Sequence, residues 1–290
     1  MSKAKSTLDW LSQPAINSLI SPACLLEGDH TNPAWRAQVA APASERARPM
    51  ILKWIDGHLP TSIELACALA AQCLRLPVPS PALVLAPKSY LPGLPAASTG
   101  QLVLLIGSEY KTPDAFFAQA LSRNPAAEEL IWSKLCDSES GAKGAAWDEL
   151  IANPDRHHQN ALFDGVNWWL FDHDQALLES GTFCKNPLDQ TQRSLMCNFS
   201  ARCNVLAEQM VIRLRSQNNI SAQPAQFDRH KAEMALLSTA ASKWSHKHPK
   251  IQEIFSTTAI LLTAIELRLP PLAQHISNRL AQPSSETLWN

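Results

Sequence analysis

Glycine is scarce in this chain, 9 residues in 290 against 21 prolines, so any backbone cradle that needs several glycines close together must be atypical. The 7 cysteines (Cys24, Cys67, Cys73, Cys136, Cys184, Cys197 and Cys203) are odd in number and contain no C-x-x-C pair. That argues against a disulfide framework and a zinc ribbon and points to reduced thiols. Long apolar runs are missing too. The stretch 260–269 is interrupted by Thr263, Glu266 and Arg268, and residues 1–10 carry no apolar signal core, so neither a membrane span nor an export signal is expected. Net charge is nearly absent: 25 Lys+Arg against 26 Asp+Glu give -1, which provides no global field to recruit nucleic acid or anionic lipid.

What is present is apolar material in quantity, 46% hydrophobic against 18% charged, enough for one large core or two packed lobes. Two apolar runs, 24–27 and 49–55, flank turn-rich segments and read as antiparallel strands. A helix is expected over 65–74, opened by Thr61-Ser62-Ile63-Glu64 and closed by Pro77-Val78-Pro79. Strands follow at 82–86 and 101–106. Beyond Gly107 the segments become helical, at 113–122, 126–136 and 145–152. Then 161–163, the turn signal Asp164-Gly165 and 168–171 read as a hairpin. Further helices are expected at 191–198, 201–216, 228–246, 251–268 and 271–281. The chain thus divides near Gly107 into a strand-rich part, 1–106, and a helical part, 107–290.

The chemistry concentrates in Asn153-Pro154-Asp155-Arg156-His157-His158-Gln159-Asn160, the hairpin, and Phe171-Asp172-His173-Asp174. Phosphoryl transfer needs a carboxylate beside the acceptor hydroxyl and oxygen ligands that hold magnesium against nucleotide phosphates. Asp155 suits the first task, Asn160 with Asp172 the second. An Asp, an Asn five positions on, a short hairpin and a second Asp form an ordered set, because the hairpin folds the later Asp back over the earlier pair. The plain alternative is a polar loop in which Asp155 caps a turn after Pro154 and Arg156 pairs with a neighbouring carboxylate. Turn chemistry alone does not call for the second motif after the hairpin. Phe171, Trp168 and Trp169 read as core strand residues.

The run N-P-D-R-H-H-Q-N-A-L-F-D-G-V-N-W-W-L-F-D-H-D-Q-A-L resembles the catalytic and metal-binding loops of HipA-like kinases, which are similar in turn to those of phosphatidylinositol 3/4-kinases. Upstream, Leu26-Glu27-Gly28-Asp29-His30-Thr31-Asn32-Pro33 resembles the family's nucleotide loop, Met50-Ile51-Leu52-Lys53-Trp54 its lysine-bearing strand, and the run from Glu64-Leu65-Ala66 to Leu76-Pro77-Val78-Pro79 its following helix. The likeness spans about 25–178, with gaps.

It implies an α+β, two-lobed protein-kinase-like fold: a small antiparallel-sheet N-lobe with one helix and a mainly helical C-lobe carrying the catalytic and metal-binding loops. It implies ATP and Mg2+, with Lys53 on the phosphates, Asp155 orienting or deprotonating the acceptor, and Asn160 and Asp172 on the metal. Gly28, Asp29, His30 and Thr31 would form the nucleotide loop, and 101–110, including Glu109 and Tyr110, the hinge that holds adenine. Glu64 would pair with Lys53, or else complete a capping box with Thr61. Lys53 faces a cleft on this reading and solvent on the plain one. The resemblance further implies a cytoplasmic serine/threonine protein kinase acting as the toxin of a toxin-antitoxin system, with a protein substrate and an antitoxin as partners.

A small-molecule or lipid kinase would use the same residues. Two readings of other classes compete. His157, His158 and His173 beside Asp155, Asp172 and Asp174 suggest a metal-dependent hydrolase, although adjacent His157 and His158 cannot both face one ion easily. In a kinase, one of that pair would pack inward to brace the loop. The poor glycine loop suggests a kinase-shaped binding module without catalysis.

Overall fold

Along residues 34–40 apolar and polar side chains alternate, Trp35, Ala37 and Val39 buried while Arg36 and Gln38 are exposed, and a strand is the backbone state that sorts them onto opposite faces. In the computed structural model, which describes residues 11–27, 32–42, 46–96, 98, 100–177, 204–213 and 217–280, this strand is β3 (Ala34–Ala40). It joins β1 (Ile16–Leu19), β2 (Cys24–Leu25), β4 (Ala47–Lys53), β5 (Pro81–Pro87) and β6 (Leu102–Glu109) in the order β1-β5-β6-β4-β3-β2. β1 also pairs with the far end of β3, Ser18 opposite Ala40 and Leu19 opposite Val39. Five strands therefore close into a barrel, and β2 lies outside the ring on the first half of the same β3 edge. Trp35, Met50, Leu52, Val84 and Leu105 belong to the core inside it.

The expected small antiparallel sheet is corrected on two counts: β1 runs parallel to β5, and the sheet closes on itself. Neither β1 nor β3 is among the expected strands. β1 is only four residues long, and the alanines of β3 carry little strand preference of their own.

Helix α1 (His58–Cys73) starts before Thr61, behind Gly57 at φ 92°. Thr61 lies inside the first turn and donates to the Gly57 carbonyl (3.1 Å), so the expected capping box does not form. Ala66, Ala70 and Ala71 are fully buried. The helix shares one core with Leu83 and Ile106 from the outer face of the barrel and with Ile254 and Phe255 of α8 (Pro249–Leu280).

The rest of the helical part comprises α2 (Ala115–Ser122), α3 (Ala127–Asp137), α4 (Glu139–Leu150), α5 (Val205–Ile212), α6 (Gln217–Asp228) and α7 (Lys231–Ala241). Two helices were expected over 251–268 and 271–281, and one continuous helix is found despite Pro270 and Pro271 inside it. Ile265, Leu269, Leu272 and Ile276 are all buried. Their helical spacing ties both halves to one core, and that burial outweighs the two missing N–H donors. α6 is unexpected, and the expected helix at 191–198 lies outside the described residues. No helix among the described residues is long and apolar enough to cross a membrane.

Candidate active site

The hairpin forms as the sequence suggests. β7 (Ala161–Phe163) and β8 (Trp168–Leu170) pair with Ala161 opposite Leu170. The turn is closed by Asp164, whose Oδ1 accepts from the N–H groups of Val166 (2.9 Å) and Asn167 (2.7 Å), with Gly165 at φ 96°. That register puts Asn160 and Phe171 side by side just beyond the paired residues, and the Phe171 N–H donates to the Asn160 carbonyl (3.2 Å). The loop before the hairpin and the loop after it are thereby brought together.

A single buried side chain fastens the two loops. Arg156 is fully buried, and its guanidinium has five N–H donors. Nε and Nη2 clasp the Asp148 carboxylate at 2.9 and 2.8 Å. Nη1 reaches the carbonyls of Asn160 (2.9 Å) and Phe171 (2.8 Å), and Nη2 also meets Nε2 of His173 (3.0 Å). Burial alone would lower the Arg156 pKa, but Asp148 outweighs it and the net shift is upward. The pairing of Arg156 with a nearby carboxylate, foreseen in the polar-loop reading, is therefore present, and it joins both motifs instead of closing one turn.

Asp155, Asn160 and Asp172 sit on this frame. The Asn160 amide nitrogen donates to the Asp155 carbonyl (2.9 Å), and the Asp155 N–H donates to Asn153 Oδ1 (3.1 Å). The Asp155 carboxylate itself has no hydrogen-bond or ion-pair partner among the described residues, and it is part-exposed. Asp172 takes a left-handed backbone, φ 60°, which Asp tolerates better than most residues.

Lys53 ends β4 on the face opposite Met50 and Leu52. Its ammonium lies 2.5 Å from Asp172 Oδ1 and 2.9 Å from Asp174 Oδ2. Burial would lower its pKa, yet the charges of Asp172, Glu64 and Asp174 raise it above its ordinary value. Asp172 is also shifted upward, first by burial and then by Glu64 and Asp174, with Lys53 pulling the other way. The negative charges of Asp172, Glu64 and Asp174 all act on the one Lys53 ammonium.

Glu64 makes no direct ion pair with Lys53 in this arrangement. Its Oε2 accepts the backbone N–H of His173 at 2.5 Å. Burial would raise its pKa, but hydrogen bonding at His173 and the charge of Lys53 give a net lowering. Glu64 thus belongs to the cluster through the 172–174 segment, by a contact that neither sequence reading of it foresaw.

The other expected residues are placed as follows. Gly28, Asp29, His30 and Thr31 lie outside the described residues. Asn32, which follows them in sequence, donates to Asp174 Oδ2 (3.2 Å). Glu109 ends β6 and pairs with Lys111 (3.0 Å), while the Arg36 guanidinium sits 4.4 Å from the centre of the Tyr110 ring. Neither reaches the Lys53 cluster in this arrangement.

The histidines diverge. His157 is exposed, and His158 faces Glu128 (3.4 Å). His173 is fully buried, its Nε2 taken by Arg156 and by Trp147 Nε1 (3.3 Å). Both are obligate donors, so Nε2 is the acceptor and the ring proton sits on Nδ1. The inward brace expected at His157 or His158 is supplied by Arg156 and His173. No cluster of three His, Cys, Asp or Glu side chains suited to one ion occurs among the described residues, and the three histidines point to three different neighbourhoods.

Asp148, Asp174 and Asn32 were not assigned roles from the sequence as kinase residues. Asp174 follows Asp172 at a spacing of two, and both meet Lys53.

No protein-family model matches the chain, and no curated protein matches it. Among solved structures, the crystal structure of a Helicobacter pylori proinflammatory kinase, CtkA, is similar, with a TM-score of 0.47 and 9% sequence identity over 86% of this chain and 97% of that one. A likeness of that size leaves the chemistry to be read from the residues themselves.

Proposed function

We propose that this protein is an ATP-dependent, magnesium-requiring phosphotransferase that acts on a hydroxyl group. The observation that carries the reading is the meeting of Lys53 with Asp172 and Asp174, over a hundred positions apart, beside the loop that holds Asp155 and Asn160.

The donor set fits magnesium. Asp172, Asp174 and the Asn160 side-chain oxygen are hard oxygen ligands, which suit a cation that keeps several waters and shares phosphate oxygens. The Asn160 nitrogen is already bonded to the Asp155 carbonyl, which leaves its oxygen for a ligand. The excess of carboxylates over ammonium favours an added cation. Magnesium bound there would supply charge neutralisation for the nucleotide phosphates.

The chain's own residues then divide the work. Lys53, released from one or both carboxylates, binds phosphate oxygens. Asp155 carries a carboxylate without an internal partner and receives or orients the acceptor hydroxyl proton. The Arg156 frame fixes the spacing of the two loops, so catalysis arises from positioning and electrostatics. A serine or threonine hydroxyl of a protein is the acceptor class that the family resemblance implies.

The test is incubation of the purified protein with γ-labelled ATP and a cell lysate, beside Asp155→Ala. The reading predicts magnesium-dependent labelling or phosphate release by the wild type alone. Equal activity in the variant, or none in either protein, would remove it. A kinase-shaped binding module is an alternative, and folded protein that fails to bind Mg-ATP would favour it.

A further inference from the structure

Asp148 belongs to neither sequence motif. It lies in the last turn of α4 and is fully buried, yet its two partners, Arg156 and Asn153, hold the segments that carry Asp155, Asn160 and Asp172. Its carboxylate takes two bonds from Arg156 and one from Asn153 Nδ2 (3.0 Å), and its carbonyl accepts the Asn153 N–H (2.9 Å). Asn153 in turn holds the Asp155 N–H. Arg156 holds the carbonyl of Asn160, the carbonyl of Phe171 just before Asp172, and the ring of His173 just after it.

We infer that Asp148 is a positioning residue for phosphoryl transfer: through Arg156 and Asn153 it sets the relative placement of Asp155, Asn160 and Asp172 without touching substrate. The inference rests on the proposed phosphotransferase reading and adds to it a residue outside the motifs.

Two physical points separate this role from mere stability. Buried ion pairs are often replaced by apolar residues of similar volume without loss of stability, so stability alone does not require a charged pair here. And the guanidinium directs only two of its five donors at Asp148. The other three bind acceptors on two separate loops, so the carboxylate fixes the plane and orientation of a fork whose remaining bonds define the site. Lysine, with three donors on a mobile stem, could not reproduce that fork.

The experiment uses the purified full chain and measures magnesium-dependent ATP hydrolysis, with each variant's folded fraction taken from its thermal melt. Asp148→Asn keeps the shape and one acceptor oxygen but removes the bidentate clasp. The expected result is a fall of about 100-fold in kcat per folded molecule, the effect of sub-ångström to ångström misplacement, with the KM for ATP within about threefold of wild type. The second variant, Asp148→Leu with Arg156→Met, replaces the pair by apolar groups. It is expected to regain folding stability while kcat stays low, and it decides the question if Asp148→Asn does not fold.

A kcat within about threefold of wild type in folded Asp148→Asn, or recovery of kcat together with stability in the double variant, would overturn the inference. If the wild type turns over ATP and Asp155→Ala does not, such a result removes Asp148 alone. If the wild type itself fails to turn over ATP, both readings fall.

Discussion

Replacing Lys53 by methionine keeps most of the side-chain volume and removes the ammonium that bridges Asp172 and Asp174. The two carboxylates, with Glu64 behind them, are then left facing one another. At 2.5 and 2.9 Å each contact is worth about 6 kcal/mol before desolvation at an effective dielectric near 20. Breaking a fully buried pair costs about 3–5 kcal/mol net. Here the Lys53 and Asp172 side chains are 20% and 30% exposed, so water recovers part of that, and a loss of about 2–3 kcal/mol is expected. The assay is urea unfolding of wild type and variant, with and without millimolar magnesium. Without the ion the variant should show the full deficit. With it the variant should gain more than wild type, because the cation no longer competes with an ammonium for the same oxygens. The pH dependence has a definite sign. Asp172 is already shifted upward and moves further up without Lys53, so the folded variant binds a proton that the unfolded chain has released. Its deficit is small in acid and grows as pH rises through the Asp172 range. A variant as stable as wild type with and without magnesium would refute the reasoning.

Asp155→Asn should lower phosphate transfer about 100- to 10,000-fold, as expected for loss of a general base, with melting temperature and Mg-ATP affinity unchanged in calorimetry. Gly141→Ala drives a Cβ into the Leu135 carbonyl oxygen at the α3–α4 corner. That is a backbone clash with no side chain to move aside, and a stability loss of about 3 kcal/mol should appear in denaturant titration. Burial pushes the Cys73 thiol up to about 12 and raises Cys67 as well. Both should resist iodoacetamide at neutral pH until the protein unfolds, while exposed Cys24 reacts in the native state, as peptide mass mapping would show.

The hairpin was legible because it is local: an Asp-Gly turn fixes a register, and the register sets Asn160 beside Phe171, the residue before Asp172. Lys53 was legible through alternation, since Met50 and Leu52 belong inside the barrel and the lysine faces the other way. Barrel closure was not, because it depends on β1 finding both β5 and the end of β3, long-range pairings that a four-residue strand does not announce. The Asp148–Arg156 clasp was half legible. Arg156 stands within the motif, but its partner sits on a helix with no distinguishing pattern, and a single Asp in an alanine-rich segment reads like any surface residue. Glu64 shows the ambiguity of short motifs. Thr61-Ser62-Ile63-Glu64 satisfies the capping-box pattern, yet the helix begins earlier, and the glutamate is drawn to a backbone N–H of the 172–174 segment.

Calorimetric titration of ATP into the wild-type protein and into Asp172→Asn, each with and without magnesium, tests the central claim most directly. The account predicts binding to wild type that depends on magnesium and weakens at least tenfold, about 1.4 kcal/mol, in the variant. Absence of nucleotide binding to folded wild-type protein, or affinity indifferent to both the ion and the Asp172 carboxylate, would contradict it.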